Sequence, residues 1–339
     1  MESRFYNSNR LLSHNSLFNA IISARGDGKT YDFKMKCIKR YLKTGEQFIY
    51  LRRYKTEFKK IDKFFNDIAH VFPDYEFRVD SGNFYMRKNG EKKWKPEHII
   101  GGYIALSTQV TLKSVPYPKV TWIGYDEFII SKKGHYRYLP DEVDNFLEMY
   151  STIARDRDVK VLFMANSVTQ VNPYFLYFDI ELTKNKRFIT KNDFTVEYYV
   201  PEAHIEHMNN TRFGKMIKDT PYGQYAIGND FTEDIKDYIR KRSKGSECRF
   251  CILYKGTYVG IWYSYKQGTI YASRDYIKKT RFKYTLRVED VRENHIMLKK
   301  PKENYHVAHL IDAFKNGYLY YEDIFVKDIC LNILKTITF

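Results

Sequence analysis

The sequence predicts a two-part α/β protein: a larger domain built on a mainly parallel sheet, then a smaller α/β domain that opens on an antiparallel meander. Three observations predict it. Short apolar runs alternate with segments of helical periodicity through the first half of the chain. Past Lys184 that alternation gives way to three consecutive strand-like runs. The 339 residues, 43% hydrophobic and 29% charged, exceed one ordinary domain and suffice for two cores. The expected boundaries are 1–184 for the first domain, 185–235 for a linker or lid, and 236–339 for the second domain.

The first strand is the apolar run Phe18-Asn-Ala-Ile-Ile-Ser23. After it, Tyr31, Met35, Ile38 and Leu42 recur at helical spacing, and Gly45 supplies the stop. Gln47–Leu51 reads as a second buried strand, followed at once by Arg52 and Arg53. Phe58, Ile61, Phe65 and Ile68 share one face of an expected helix over Lys55–Ala69. Tyr75–Thr108 reads as short strands with turns at Ser81-Gly82, Asn89-Gly90 and Gly101-Gly102. Val120–Tyr125 and Val159–Ala165 are two more buried strands, with a helix at Asp141–Ile153 between them. Beyond 184, Glu181–Pro201 is mixed and polar, Glu202–Asp219 suits one or two short helices, and Phe231–Arg242 suits another. Strands at Arg249–Tyr254, Thr257–Tyr263 and Thr269–Ser273 are joined by turns at Lys255-Gly256 and Lys266-Gln-Gly268. Helices at Tyr305–Asn316 and Asp323–Leu334 close the chain.

Composition removes several classes. No stretch approaches the ~20 apolar residues of a membrane-spanning helix, and the first residues lack a basic-then-apolar signal layout. Four cysteines, Cys37, Cys248, Cys251 and Cys330, are too sparse for a disulfide framework, so a reducing compartment is expected. The net charge is +16, and Lys236–Lys300 alone carries 17 basic residues against 6 acidic ones, interleaved with aromatics. That pattern suits a polyanion partner, because Lys and Arg release counterions from phosphates. A basic, Tyr-rich protein from an AT-rich genome has the same composition, so chemistry must decide. Cys248-Arg-Phe-Cys251 has zinc-knuckle spacing without a second pair nearby, and two strand cysteines account for it. His204/His207 and His306/His309 fit single helical faces without a third ligand, which favours helix-surface histidines.

The chemistry starts at Ser23-Ala-Arg25-Gly26-Asp27-Gly28-Lys29-Thr30, which matches G-x-x-x-x-G-K-[ST] except that Ser23 replaces the first Gly. It follows an apolar strand and opens a helix, the context the motif needs. Backbone N–H groups around Gly26–Lys29 can face a phosphate, and the helix N-terminus adds its positive dipole end. Lys29 reaches the β/γ-phosphates and the Thr30 hydroxyl holds Mg²⁺ in that reading. A second element, Val120–Asp126-Glu127, is a strand ending in two acids. Asp126 suits Mg²⁺ coordination and Glu127 suits polarising a water. Adjacent carboxylates at a buried strand end are otherwise costly. Asn166, at the end of a third strand, is placed to sense the γ-phosphate. Arg155 and Arg157 end a helix, where an arginine either offsets the C-terminal dipole or stabilises transition-state charge on a neighbour's ATP.

With these elements the sequence resembles the DNA-packaging ATPases of small short-tailed phages with protein-primed genomes, the Salas-type podophages, additional-strand P-loop NTPases related to the large terminase ATPases. The residues that carry the resemblance span nearly the whole chain: Phe5-Tyr-Asn, Ala24-Arg-Gly, Gly45 through Lys55, Phe64-Phe-Asn-Asp67, Phe128, Asn172-Pro-Tyr-Phe175, Lys241-Arg-Ser-Lys244 and Asn316-Gly-Tyr-Leu319. The resemblance implies Mg·ATP bound between subunits of a homomeric ring, a pentamer. That ring works in the host bacterial cytoplasm, transiently on the portal vertex of a procapsid, drives double-stranded DNA inward, and can use a structural packaging RNA. It implies that Lys29, Thr30, Asp126 and Glu127 build the site and that Arg155 is the trans-acting arginine finger, with Arg157 the other candidate. It also implies that Arg53 and Lys113 lie near subunit junctions. The second domain resembles a ribonuclease-H-type nuclease that has lost its acids, since Arg249–Tyr254 carries none and such a site needs one to hold its metals. Two other readings stay open: a helicase-like ATPase, and a non-catalytic nucleic-acid binding module.

Overall fold

The computed structural model describes residues 5–112, 116–130, 136–168, 172–178, 180, 182, 186–199, 202–220, 223, 227 and 238–338. Lys113 and the greater part of the expected 231–242 helix lie outside the described residues. The chain divides into two compact units. One comprises Met1–Ile130, Leu139–Gln170 and Phe178–Thr232; the other comprises Ser131–Tyr138, Val171–Tyr177 and Glu233–Phe339.

The first unit opens with α1 (Asn9–Ser13), then β1 (Phe18–Ser23), α2 (Lys29–Thr44) and β2 (Gln47–Arg52). There follow β3 (Tyr75–Asp80), β4 (Asn83–Lys88), β5 (Ile99–Ala105), β6 (Val120–Asp126), α3 (Glu142–Ala154) and β7 (Lys160–Asn166). The short helix α4 (Pro173–Tyr177) belongs to the second unit. The chain then returns to the first unit with β8 (Phe188–Lys191), β9 (Phe194–Tyr198), α5 (Glu202–Asn210) and α6 (Arg212–Ile217). Among the described residues, nine strands make one sheet in the order β3-β4-β5-β2-β6-β7-β1-β9-β8. The central strands from β5 to β9 pair in parallel, while β3, β4 and β8 are antiparallel additions at the two edges. β7 lies between β1 and β6, which is the additional-strand arrangement. All six residues of β1 are buried, as a strand covered on both faces requires. The α2 helix runs from Lys29 to Thr44 and ends at Gly45, whose φ of 72° suits a left-handed cap.

Four expectations need correction here. The segment expected as a linker from 185 instead opens with β8 and β9, which extend the first sheet. The alternation that carries them is short, and Glu197, a charged residue in β9, is buried because Tyr6 Oη donates to it at 2.7 Å and Arg187 pairs with it at 2.7 Å. Lys55–Ala69 is not one α-helix. It is broken into 3₁₀ turns at Lys55–Phe58, Ile61–Lys63 and Ala69–Val71. Near its end, the buried Lys34 donates through Nζ to the Phe64 carbonyl at 2.9 Å, and the Ile68 N–H bonds the Phe65 carbonyl in a 3₁₀-type turn. Phe64, Phe65 and Ile68 still reach the core. Gly101 and Gly102 sit inside β5 rather than in a turn. A Cβ on Gly101 would come within 2.3 Å of the Phe48 carbonyl oxygen, so these glycines serve close strand approach. Finally, His204 is buried rather than on the helix surface.

The second unit holds β10 (Glu247–Tyr254), β11 (Thr257–Ser264), β12 (Thr269–Ser273), β13 (Lys283–Thr285), β14 (Ile296–Met297), α7 (Tyr305–Lys315), β15 (Leu319–Tyr321) and α8 (Ile324–Thr338). Its sheet runs β14-β13-β10-β11-β12-β15, with the expected antiparallel meander at its centre. Lys255 and Gly256, at φ 48° and 76°, form the first hairpin turn. The described part of the expected 231–242 helix is not helical, since Ile239 bridges to Tyr321. A separate core forms around Phe250, Ile252, Ile261, Leu310 and Ile333. β10 starts two residues earlier than expected and so includes Glu247, which is exposed and faces Arg249 at 3.5 Å.

Candidate nucleotide site

Parallel strands deliver their C-terminal ends to one edge of the sheet, and loops there collect polar side chains. Strand register places Ser23 of β1 beside Asn166 of β7, and Asp126 of β6 beside Met164 of β7. The loop from Ala24 to Gly28 then turns into α2, with Gly26 and Gly28 at φ 79° and 100°, a region that favours glycine. Lys29 folds back beneath this loop. Its Nζ donates to the Ala24 carbonyl at 2.8 Å, to Ser23 Oγ and Asp27 Oδ1 at 3.0 Å each, and to Asn166 Oδ1 at 3.2 Å. Arg25 and Gly26 are exposed on the loop. Thr30, one residue further into the helix, donates through Oγ1 to Asp126 Oδ2 at 3.0 Å. The sheet therefore brings together Gly26, Asp27, Gly28, Lys29, Thr30, Asp126 and Asn166, while the expected Arg25 is exposed on the loop. Thr30 and Asp126 present adjacent hard oxygen donors, the type that Mg²⁺ takes.

The two acids are handled differently. Asp126 is largely buried; its Oδ2 also accepts from Tyr50 Oη at 2.8 Å, and its Oδ1 accepts the Glu127 N–H at 3.0 Å. Glu127 leaves the strand at φ 54°, a conformation uncommon for a residue with a side chain. That kink turns its carboxylate to solvent with the side chain 53% exposed, while Phe128 returns to the core. The Glu127 carboxylate pairs with Arg52 Nη2 at 2.8 Å, and the same guanidinium meets Glu57 at 2.8 Å and Asp126 at 3.6 Å. Burial works against the Arg52 charge, but Tyr50 and these three acids outweigh it and push its pKa up. Burial and the neighbouring Asp126 push the Tyr50 phenol well above its ordinary value, so it stays a donor.

Arg52 and Tyr50 are the members that motif reasoning missed. The signal was available: both lie on one face of β2, two residues apart, at the end of a buried strand. Arg53, expected near a subunit junction, is buried within the chain. It is 1% exposed and forms a two-pronged pair with the buried Glu142 at 2.7 and 2.8 Å. Its remaining donors reach the carbonyls of Glu127 and Phe128 at 3.1 and 2.7 Å. Only such complete pairing lets a guanidinium sit in a core, and Arg53 thereby braces the loop that carries Glu127.

The helix-end arginines also separate. Arg157 donates to the carbonyls of Tyr117, Pro118, Val120 and Ile153 at 2.7 to 3.0 Å. Arg155 ends α3 at φ 53°, is exposed, and its side chain bonds to nothing among the described residues.

A loop of glycines around a helix N-terminus, a lysine inside it and an acid on the next strand but one form the usual frame for a nucleoside triphosphate, and comparison with known proteins agrees. The chain is 38% identical over 337 residues to the "DNA packaging protein" of Bacillus phage phi29, covering 98% of each. Among solved structures it is similar to a chain of the phi29 viral genome packaging motor assembly, at 35% identity and a TM-score of 0.60, covering 99% of this chain and 100% of that one. The N-terminal domain of the DNA packaging ATPase from phi29 matches at 39% identity and a TM-score of 0.52, covering 58% of this chain and 97% of that one. The family profile described as Podovirus DNA encapsidation protein (Gp16) matches residues 1–339, and the chain belongs to that family.

Proposed function

We propose that this chain is the Mg²⁺-dependent ATPase subunit of a viral genome-packaging motor, hydrolysing ATP at sites between subunits of a homomeric ring, a pentamer, to drive double-stranded DNA into a procapsid. The observation that supports it most is the convergence on one sheet edge of Lys29 and Thr30 from α2, Asp126 and Glu127 from the end of β6, and Asn166 from β7. The loop N–H groups and Lys29 bind the β- and γ-phosphates, and Asn166 beside Lys29 reads the γ-phosphate end. Thr30 and Asp126 would hold Mg²⁺, which offsets phosphate charge when bound. Glu127 takes a proton from the attacking water, and its exposed carboxylate must first leave Arg52 to do so. Arg155, exposed and without a bonding partner among the described residues, reaches the γ-phosphate of a neighbouring subunit; Arg157 is committed to backbone carbonyls and does not.

The basic excess between Lys236 and Lys300 suits sequence-tolerant contact with DNA phosphates, with the portal and a packaging RNA as further anionic or docking partners. The same domain is proposed to lack nuclease activity. Its acids in the described β10–β13 region are Glu247, facing Arg249, and Asp275, paired with Arg242 at 3.0 Å. The site of action is the host cytoplasm, at the portal vertex during packaging.

The test is the steady-state rate of ATP hydrolysis by the full chain with and without duplex DNA. Stimulation by DNA that fades with salt and is lost in Lys29→Ala supports the motor. Glu127→Gln should keep ATP binding and lose turnover by about 100-fold or more, the scale of a general base. Normal turnover in Glu127→Gln refutes its role, and strand separation by the wild type would replace the pump with a helicase.

A further inference from the structure

Two departures from ordinary loop composition touch each other in the phosphate cradle. Ser23 stands where the motif opens on glycine, and Asp27 puts an acid inside a loop whose N–H groups are built to receive anions. Both are fully buried. The Ser23 hydroxyl donates to Asp27 Oδ2, which tethers the carboxylate below the loop. Asp27 Oδ1 accepts from Lys29 Nζ at 3.0 Å and from the Lys29 N–H at 3.4 Å. The other bonds of that ammonium go to Ser23 Oγ, the Ser23 and Ala24 carbonyls, and Asn166. The lysine meant for phosphate is thus already matched by an internal anion, held there by a hydroxyl that the motif's glycine lacks.

A nucleotide has to break this arrangement. To reach a β- or γ-phosphate, Lys29 must leave Asp27, and a buried carboxylate then loses its cation and faces a polyanion. We propose that Asp27 is a built-in competitor for the nucleotide's phosphates. Its carboxylate holds Lys29 in the nucleotide-free protein, nucleotide enters by displacing it, and its return to Lys29 speeds the departure of ADP. Ser23 is the tether that keeps the competitor in reach. The cost of the exchange sets a weak, rapidly emptied site, which suits a motor that must discard ADP on every cycle. This inference rests on the ATP-site reading above.

The experiment titrates the full-length protein with fluorescently labelled ADP in Mg²⁺ and follows dissociation after a chase with unlabelled ADP. Asp27→Asn keeps the shape and removes the charge. It should lower the ADP Kd about tenfold, and the dissociation rate should fall by a similar factor, since affinity differences at one site lie mostly in release. Ser23→Gly restores the motif's glycine and leaves the charge in place. It should tighten ADP in the same direction, whereas simple repulsion between carboxylate and phosphate would leave its affinity unchanged. Unchanged or weaker binding by Asp27→Asn that melts like the wild type overturns the proposal, as does an unchanged Ser23→Gly. If Asp27→Asn does not fold, Ser23→Gly decides. Loss of ADP binding in Lys29→Ala without tightening in either variant would sink the competitor alone. Failure of the wild type itself to bind ADP or ATP would sink the nucleotide site and the competitor together.

Discussion

At the scale of single residues, the site separates groups that do chemistry from groups that hold them, and the two helix-end arginines make the separation measurable. Arg157 satisfies four backbone carbonyls that would otherwise lack this donor. Arg157→Ala should therefore cost about 1–3 kcal/mol in urea unfolding, the usual toll of stripping partners from partly buried acceptors. Arg155→Ala removes an exposed side chain with no bond among the described residues, so its unfolding free energy should stay within about 0.5 kcal/mol of the wild type. Equal losses in both variants would contradict this division. Motif spacing singled out the lysine and threonine because they open the helix that follows a buried strand, and the two acids and asparagine because they stand at the ends of strands that hydrophobic pattern alone marks. It did not reveal Arg52 over Glu127 or Arg53 against Glu142, since a pair of adjacent arginines looks the same in sequence whether one faces solvent and the other the core. Only the period-two alternation of β2 decides which is which.

At the scale of elements, what positions the site is the fit of α2 against the centre of the sheet. Phe33 of α2 lies over Gly124 of β6, and a Cβ there would come within 2.4 Å of the ring. Gly124→Ala should force α2 outward and lower stability by about 1–3 kcal/mol, the range for overpacking, read from the urea midpoint. A smaller effect would mean that Phe33 can turn aside. Strands β1, β2, β6 and β7 were legible because buried parallel strands are continuous apolar runs bounded by polar residues. The four- and five-residue strands β8 and β9, and the two- or three-residue strands β13, β14 and β15, were not, because such short pieces hold no periodicity. In the second unit α7 carries a pH-sensitive contact. His306 packs on Phe250 and Phe282, and its Nδ1 lies 2.8 Å from Tyr284 Oη. Burial, helped by Arg249 and His309, lowers its pKa below the ordinary 6.5. The unfolded chain then binds the proton more readily, so this contribution is complete above about pH 6.5 and is lost as pH falls below it. His306→Gln should flatten that part of the pH dependence of the urea midpoint between pH 7.5 and 5.5, and an unchanged slope would assign it elsewhere.

At the scale of the whole molecule, the sequence's break in pattern past Lys184 located two cores but not the way the chain shares them. Residues 136–138 and 172–177 group with the second unit although the strands before and after them in sequence belong to the first, and no local pattern marks such an excursion. The proposed ring adds a requirement at this scale. The candidate nucleotide loop has a lysine, hard oxygen donors and a candidate base, while Arg155, the arginine proposed for transition-state charge, is exposed and its side chain bonds to nothing among the described residues. If Arg155 serves the next subunit, one defective copy must harm its neighbour's site rather than its own. Wild-type and Arg155→Ala chains mixed at increasing ratios, under conditions where DNA stimulates hydrolysis, should lose activity faster than the mutant fraction. A mixture with Lys29→Ala chains, which keep Arg155, should restore part of the rate, because each variant can complete the site the other cannot. A decline strictly proportional to the mutant fraction, with no rescue between the two variants, would place Arg155 in service of its own subunit and return the finger to an unidentified residue.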